Sequence, residues 1–176
     1  VLYSIIVLVV MILCHMMPIY ITADKTMEIS FVPVLACVVT RGIPLAVVLF
    51  TISTMLALLQ DSQTHRYYSP WIRSPLKELF NVANVLIAIR IGGAVYTLIT
   101  GSATGGVFSW SIVFGAVAFS FLAIFGNLVF FILYFKLSEQ GRFFALLLDN
   151  IGGILPNILA TIPLGLVIGY ILTQPN

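Results

Sequence analysis

IGGAVYTLITGSATGGVFSWSIVFGAVAFSFLAIFGNLVFFILYF, running from Ile91 to Phe135, contains no Asp, Glu, Lys or Arg. Two apolar limbs flank Gly101-Ser102-Ala103-Thr104-Gly105-Gly106, a small polar run with the composition of a flexible connection. A helix needs about 20 apolar residues to cross the hydrocarbon of a bilayer. The second limb is that long, and the first reaches the length once it is extended back to residue 76. The stretch therefore reads as two membrane helices joined by an uncharged turn.

The same pattern continues outward in both directions. Residues 1–23, 42–60 and 150–176 also lack these four residue types. The runs 29–40 and 79–89 are equally clean, so that Arg41 and Arg90 interrupt longer apolar stretches. Helices are predicted near 2–22, 29–42, 44–60, 76–100, 110–136 and 150–172. The expected fold class is an all-α integral membrane protein, a polytopic bundle of about six transmembrane helices forming a single domain over residues 1–176. Gly42 and Pro44 predict a tight bend in the second pair, and a re-entrant hairpin over 29–60 is the alternative.

Composition agrees with a lipid environment. Hydrophobic residues make up 61% of the chain and charged residues 8%, with a mean hydropathy of +1.15. Ordinary globular domains have about 45–50% and 25%. Too little polar surface remains to cover a water-soluble sphere. The net charge of +2 carries no nucleic-acid signal, because the basic residues sit beside membrane segments. Cys14 and Cys37 fall inside predicted spans and read as small buried hydrophobes.

The loop charges predict an orientation. Segments 23–28, 61–78 and 137–149, with Lys136, carry Lys25, Arg66, Arg73, Lys77, Lys136 and Arg142. The opposite side has Arg41 and the uncharged 101–109. The positive-inside rule places the first set in the cytoplasm and both ends of the chain outside. A start at Val1 and an end at Thr173-Gln174-Pro175-Asn176 read as a piece of a longer protein. A cytoplasmic output module in the same chain would need one more crossing.

No catalytic constellation, metal-ligand cluster or phosphate loop is legible, so neither enzymatic activity nor a cofactor is expected of this segment. His15 is solitary in its helix and reads as a core histidine, and His65 falls in a basic loop. Arg90 stands out because it lies midway along the apolar stretch Phe80–Thr100. A charge at that depth costs from about 2.5 kcal/mol upward unless it is paired or wetted. Arg90 is thus a candidate contact for a small anionic or carbonyl-bearing ligand, with Thr97 on nearly the same face as a second contact. The competing reading is a snorkelling or permanently neutralised arginine.

Uncharged polar residues form a second set. Asn150, Gly153, Asn157, Thr161, Gly165 and Gly169 recur at spacings of three or four along the last helix. Small residues permit close helix contact, and Asn or Thr can hydrogen-bond across it. This face is expected to turn inward, and a homodimer is also compatible with it. Asn81 and Asn84 share a face of the fourth helix, as Ser120 and Asn127 share one of the fifth. Asn84 and Asn157 complete the ligand candidates, although interhelical bonding is the plainer role. Pro156 and Pro163 are expected to kink the last helix, and Phe143–Leu148 to lie along the membrane surface. Tyr67, Tyr68, Trp71 and Trp110 suit the headgroup level.

Two segments carry a family resemblance. Pro75-Leu76-Lys77-Glu78-Leu79-Phe80-Asn81-Val82-Ala83-Asn84 is one. Leu155-Pro156-Asn157-Ile158-Leu159-Ala160-Thr161-Ile162-Pro163-Leu164-Gly165-Leu166-Val167-Ile168 is the other. They resemble the N-terminal membrane domains, of the MASE-like sensor class, that precede HD-GYP phosphodiesterase or GGDEF cyclase modules in bacterial signalling proteins. The resemblance implies a sensory or anchoring role in the bacterial cytoplasmic membrane, upstream of a cyclic-di-GMP output domain. It brings no catalytic residues into the membrane part. The helix number and length also look like the vitamin-binding S component of an energy-coupling-factor transporter. That family keeps its termini in the cytoplasm and uses alanines four apart on its first helix, whereas residues 1–22 contain no alanine.

Overall fold

A computed structural model describes residues 2–17, 19–22, 25–27, 29–60, 67–101, 109–137 and 143–173. The order is α1 (Leu2–Met16), β1 (Ile19–Thr22), β2 (Lys25–Met27), α2 (Phe31–Arg41), α3 (Ile43–Leu56), β3 (Leu59–Gln60), β4 (Tyr67–Tyr68), α4 (Pro70–Arg73), α5 (Pro75–Thr100), α6 (Trp110–Leu137) and α7 (Phe143–Thr173). Among the described residues, three segments are long and apolar enough to cross a membrane: Pro75–Thr100, Trp110–Tyr134 and Ile154–Leu172.

The expected count of about six spans is not supported. Helices α1, α2 and α3 have 15, 11 and 14 residues, or about 22, 16 and 21 Å at the α-helical rise, against a hydrocarbon core of about 30 Å. Each is short for a physical reason. The run predicted as one helix over 2–22 stops at Met16, just before Pro18, because the residue before a proline is pushed out of the α region. The β-branched residues beyond it pair instead as the antiparallel ladder β1–β2, Ile19 opposite Met27. Helix α2 ends at Gly42, whose φ of 87° is open to glycine and strained for side-chain-bearing residues. The Gly42 amide donates to the carbonyls of Cys37 and Val38, and α3 restarts at once with proline in its first turn.

Contacts along the bundle place this α2–α3 bend in depth. A Cβ on Gly93 would stand 2.6 Å from Cγ1 of Ile43, so the first turn of α3 lies level with Gly93. That point is about 10 Å short of the end of α5 at Thr100. Thr40 and Val39 lie against Gly169, about 6 Å short of the end of α7. Arg41 is exposed there and its guanidinium stacks over Tyr3, 5.0 Å from the ring centre. The Tyr3 hydroxyl bonds Thr40, whose own hydroxyl donates to the Ala36 carbonyl at 2.8 Å.

Helix α2 is the centre of the fold. Every residue from Phe31 to Thr40 is buried, enclosed by α7, α3, α6 and α1. A helix enclosed on every side is a core element and not a surface one. Gly165 opens the surface of α7 to it, since a Cβ there would stand 2.8 Å from Cδ2 of Leu35.

Helices α5 and α6 pack antiparallel along most of their length. Contacts step by four residues along α5 and descend α6 from Asn127 to Gly115: Asn84 with Asn127, Ala88 with Gly126, Gly92 with Phe119 and Ala123, Tyr96 with Gly115. Small residues at these positions let the two backbones approach closely.

Candidate functional site

Below this zipper α5 and α6 splay, and the ends of α1 and α3 complete a cavity of about 420 Å³. Helix α5 supplies Glu78, Asn81, Val82, Asn84 and Val85. Positions 78, 81, 82 and 85 recur at three and four, the spacing of one helical face. Helix α6 adds Asn127 and Phe131, α3 adds Phe50 and Thr54, and α1 adds His15. Ala57, Leu59 and Pro70 line the remaining wall. Proline at the first position of α5 and Ser74 before it start the helix at this level, which sets Glu78 in the first turn and Asn84 about 9 Å deeper.

Asn84 is the anchor of the site. It is 6% exposed. Its Nδ2 donates to the main-chain carbonyl of Asn127 at 3.1 Å, which fixes the amide orientation. The Oδ1 is buried and has no hydrogen-bond partner among the described residues. A buried polar atom left unmatched costs about 1–3 kcal/mol. Thr54 is an acceptor here too, because its hydroxyl hydrogen is already committed to the Thr51 carbonyl at 2.8 Å. The Thr54 carbonyl in turn accepts the Trp71 indole N–H at 3.0 Å, tying α4 to the end of α3. The His15 ring meets Phe50 edge-on at 5.2 Å between centres.

Glu78 and Pro70 are shared with a smaller cleft of about 220 Å³ that also contains Tyr68, Arg73, Ser74 and Lys77. Arg73 stacks over Tyr68 at 5.0 Å. Glu78 thus lines both a cleft that holds Arg73 and Lys77 and a cavity with no Lys or Arg among its described lining residues.

Comparison with known protein families, curated proteins and solved structures finds no match to this chain. The site has to be read from its chemistry alone.

The residues singled out in the sequence go to separate places. Asn84 enters the cavity. Arg90 does not: it is exposed on the outer face of α5, and no described residue gives it a hydrogen bond or ion pair. It is not among the residues that line the cavity around Asn84. Thr97 is half-buried, and its hydroxyl donates to the Gly93 carbonyl at 3.0 Å, inside its own helix. Asn157 accepts from Thr161 at 3.3 Å along α7. Thr161 is buried, and Gly165 and Gly169 face α2, so that stripe packs helix to helix. Asn150 and Gly153 lie on α7 but outside the residues whose surroundings are described.

Glu78, Thr54 and His15 are polar lining residues that the sequence analysis did not single out as ligand contacts; His15 read as a core histidine. The signal available was the recurrence Glu78-x-x-Asn81-x-x-Asn84, which continues a polar face from the interface into the span.

Proposed function

We propose that this chain is the membrane-embedded sensory domain of a bacterial signal-transduction protein, which reads a small ligand held among its helices. The observation that carries the proposal is the cavity around Asn84. It is an acceptor-bearing space with both polar and apolar lining, and anchoring alone would not call for it. A pocket lined by apolar and aromatic side chains with a few convergent polar groups is the usual form of a small-molecule site. The loop charges favour the cytoplasmic membrane, with the cavity toward the cytoplasmic face. On this reading α5, α6 and α7 cross the bilayer, and the α2–α3 pair dips in and turns at Gly42. Irregular backbone at membrane depth is tolerated when it is enclosed by protein. The resemblance of 75–84 and 155–168 to MASE-like domains supports a cyclic-di-GMP phosphodiesterase or cyclase as the output module.

The test is made on the full-length parent protein in its own host. Asn84→Leu and Glu78→Gln are compared with wild type at equal membrane abundance, reading cellular cyclic-di-GMP. The expected result is an output locked at one level, at least about threefold from the responsive wild type. Unchanged cyclic-di-GMP in both variants, with both correctly inserted, would overturn the sensory reading.

A further inference from the structure

The lining of the cavity specifies what kind of ligand it can hold. A buried polar atom of its lining, Asn84 Oδ1, is an acceptor, and the amide cannot turn over to offer a donor without breaking its bond to the Asn127 carbonyl. The Thr54 hydroxyl can only accept, since its hydrogen is committed elsewhere. At the surface end stands the Glu78 carboxylate, an obligatory acceptor when ionised. Around these groups are the rings of Phe50 and Phe131 and the aliphatic Val82 and Val85, with His15, Asn81 and Asn127 as further polar lining residues. Arg73 and Lys77 are on the far side of Glu78, in the surface cleft.

We infer that the cavity binds a protonated alkylamine. Its ammonium group donates to the Asn84–Thr54 acceptors or to Glu78, and its alkyl part lies against the phenylalanines and valines. This deepens the sensory reading above and rests on it. An anion would meet a carboxylate with no Lys or Arg among the described lining residues to offset it. A ligand lacking N–H or O–H groups would leave Asn84 Oδ1 as unmatched as before, at the usual cost of a buried polar group. An alkylammonium supplies the missing donors, carries the charge opposite to Glu78, and gains from the aromatic faces. Like the lysine ammonium, it stays protonated at neutral pH. Charge-assisted bonds to an amide oxygen and a carboxylate are the stronger kind.

The experiment uses four probes of similar size on the purified protein in detergent: n-butylammonium, n-butanol, butyrate and tetramethylammonium. Thermal unfolding is followed at constant ionic strength. The expected result is that n-butylammonium alone raises the unfolding midpoint, by about 3–5 °C at roughly ten times its Kd. Glu78→Gln should weaken that Kd about tenfold or more, and Asn84→Leu should abolish the shift. Glu78 stands at the rim, so its variant tests the site even if Asn84→Leu perturbs folding. Stabilisation by butyrate or butanol that Asn84→Leu removes would overturn the alkylamine class and leave the cavity as a ligand site. Tetramethylammonium matching butylammonium would show that charge alone is read, which also overturns the donor requirement. No stabilisation by any probe would overturn both the class and the cavity.

Discussion

Gly92 of α5 and Phe119 of α6 meet so closely that a Cβ on Gly92 would stand 2.9 Å from the Phe119 main-chain oxygen. A backbone atom fixed in a helix cannot move aside as a side-chain tip can. The α5–α6 seam above the cavity is therefore set by this glycine.

Gly92→Ala is expected to lower stability by about 1–3 kcal/mol, the usual cost of overpacking a close interface. Gly126→Ala, one step along the same seam, meets only the Ala88 Cβ at 3.9 Å and is expected to be neutral within about 0.5 kcal/mol. Thermal or denaturant unfolding of the two variants in the same detergent checks the contrast. Equal behaviour would show that the helices do not meet in this register.

The second contrast lies between α7 and α2. Gly165 presses on the enclosed Leu35, whose Cδ2, Cβ and Cγ would lie 2.8, 3.0 and 3.0 Å from a new Cβ. Gly169 has its nearest neighbours at 3.6 and 3.7 Å, an ordinary contact distance. Gly165→Ala should cost about 1–3 kcal/mol, and Gly169→Ala less than about 0.5 kcal/mol. The ratio of folded to aggregated protein on size exclusion, together with unfolding midpoints, separates the two.

Ser120 Oγ and the Tyr96 hydroxyl are buried without partners among the described residues, and both lie outside the described lining of the cavity. Removing an unmatched hydroxyl forfeits no bond. Ser120→Ala and Tyr96→Phe are expected to leave the unfolding free energy unchanged or to raise it by up to about 1 kcal/mol. A loss above about 1 kcal/mol in either would reveal an internal water bridging that hydroxyl.

Arg90 is exposed halfway along α5 and outside the cavity. Arg90→Leu should leave detergent unfolding within about 0.5 kcal/mol of wild type, and should favour insertion of α5 in a translocon assay by about 2.5–3.5 kcal/mol. It should not alter the response to n-butylammonium. Destabilisation in detergent would instead reveal a partner for the guanidinium.

Composition and the uncharged runs were enough to determine that this chain is helical and suited to lipid, because transfer of side chains to hydrocarbon depends on residue type and not on neighbours. They also placed α5, α6 and α7, whose apolar length is a local property. The small-residue stripe from Thr161 to Gly169 was legible for the same reason, since spacing along one helix fixes its face. The number of crossings was not legible. A buried helix such as α2 and a lipid-facing one are both simply apolar, and only contacts such as Gly93 with Ile43 reveal how deep the bend at Gly42 lies. The cavity, too, was decided by tertiary structure. His15, Thr54, Glu78, Asn84 and Asn127 come from four helices, and sequence periodicity says which face a residue occupies but not which faces meet. Arg90 is the converse case: its place midway along an apolar stretch suggested a functional charge, and packing leaves it exposed and outside the lining of the cavity around Asn84.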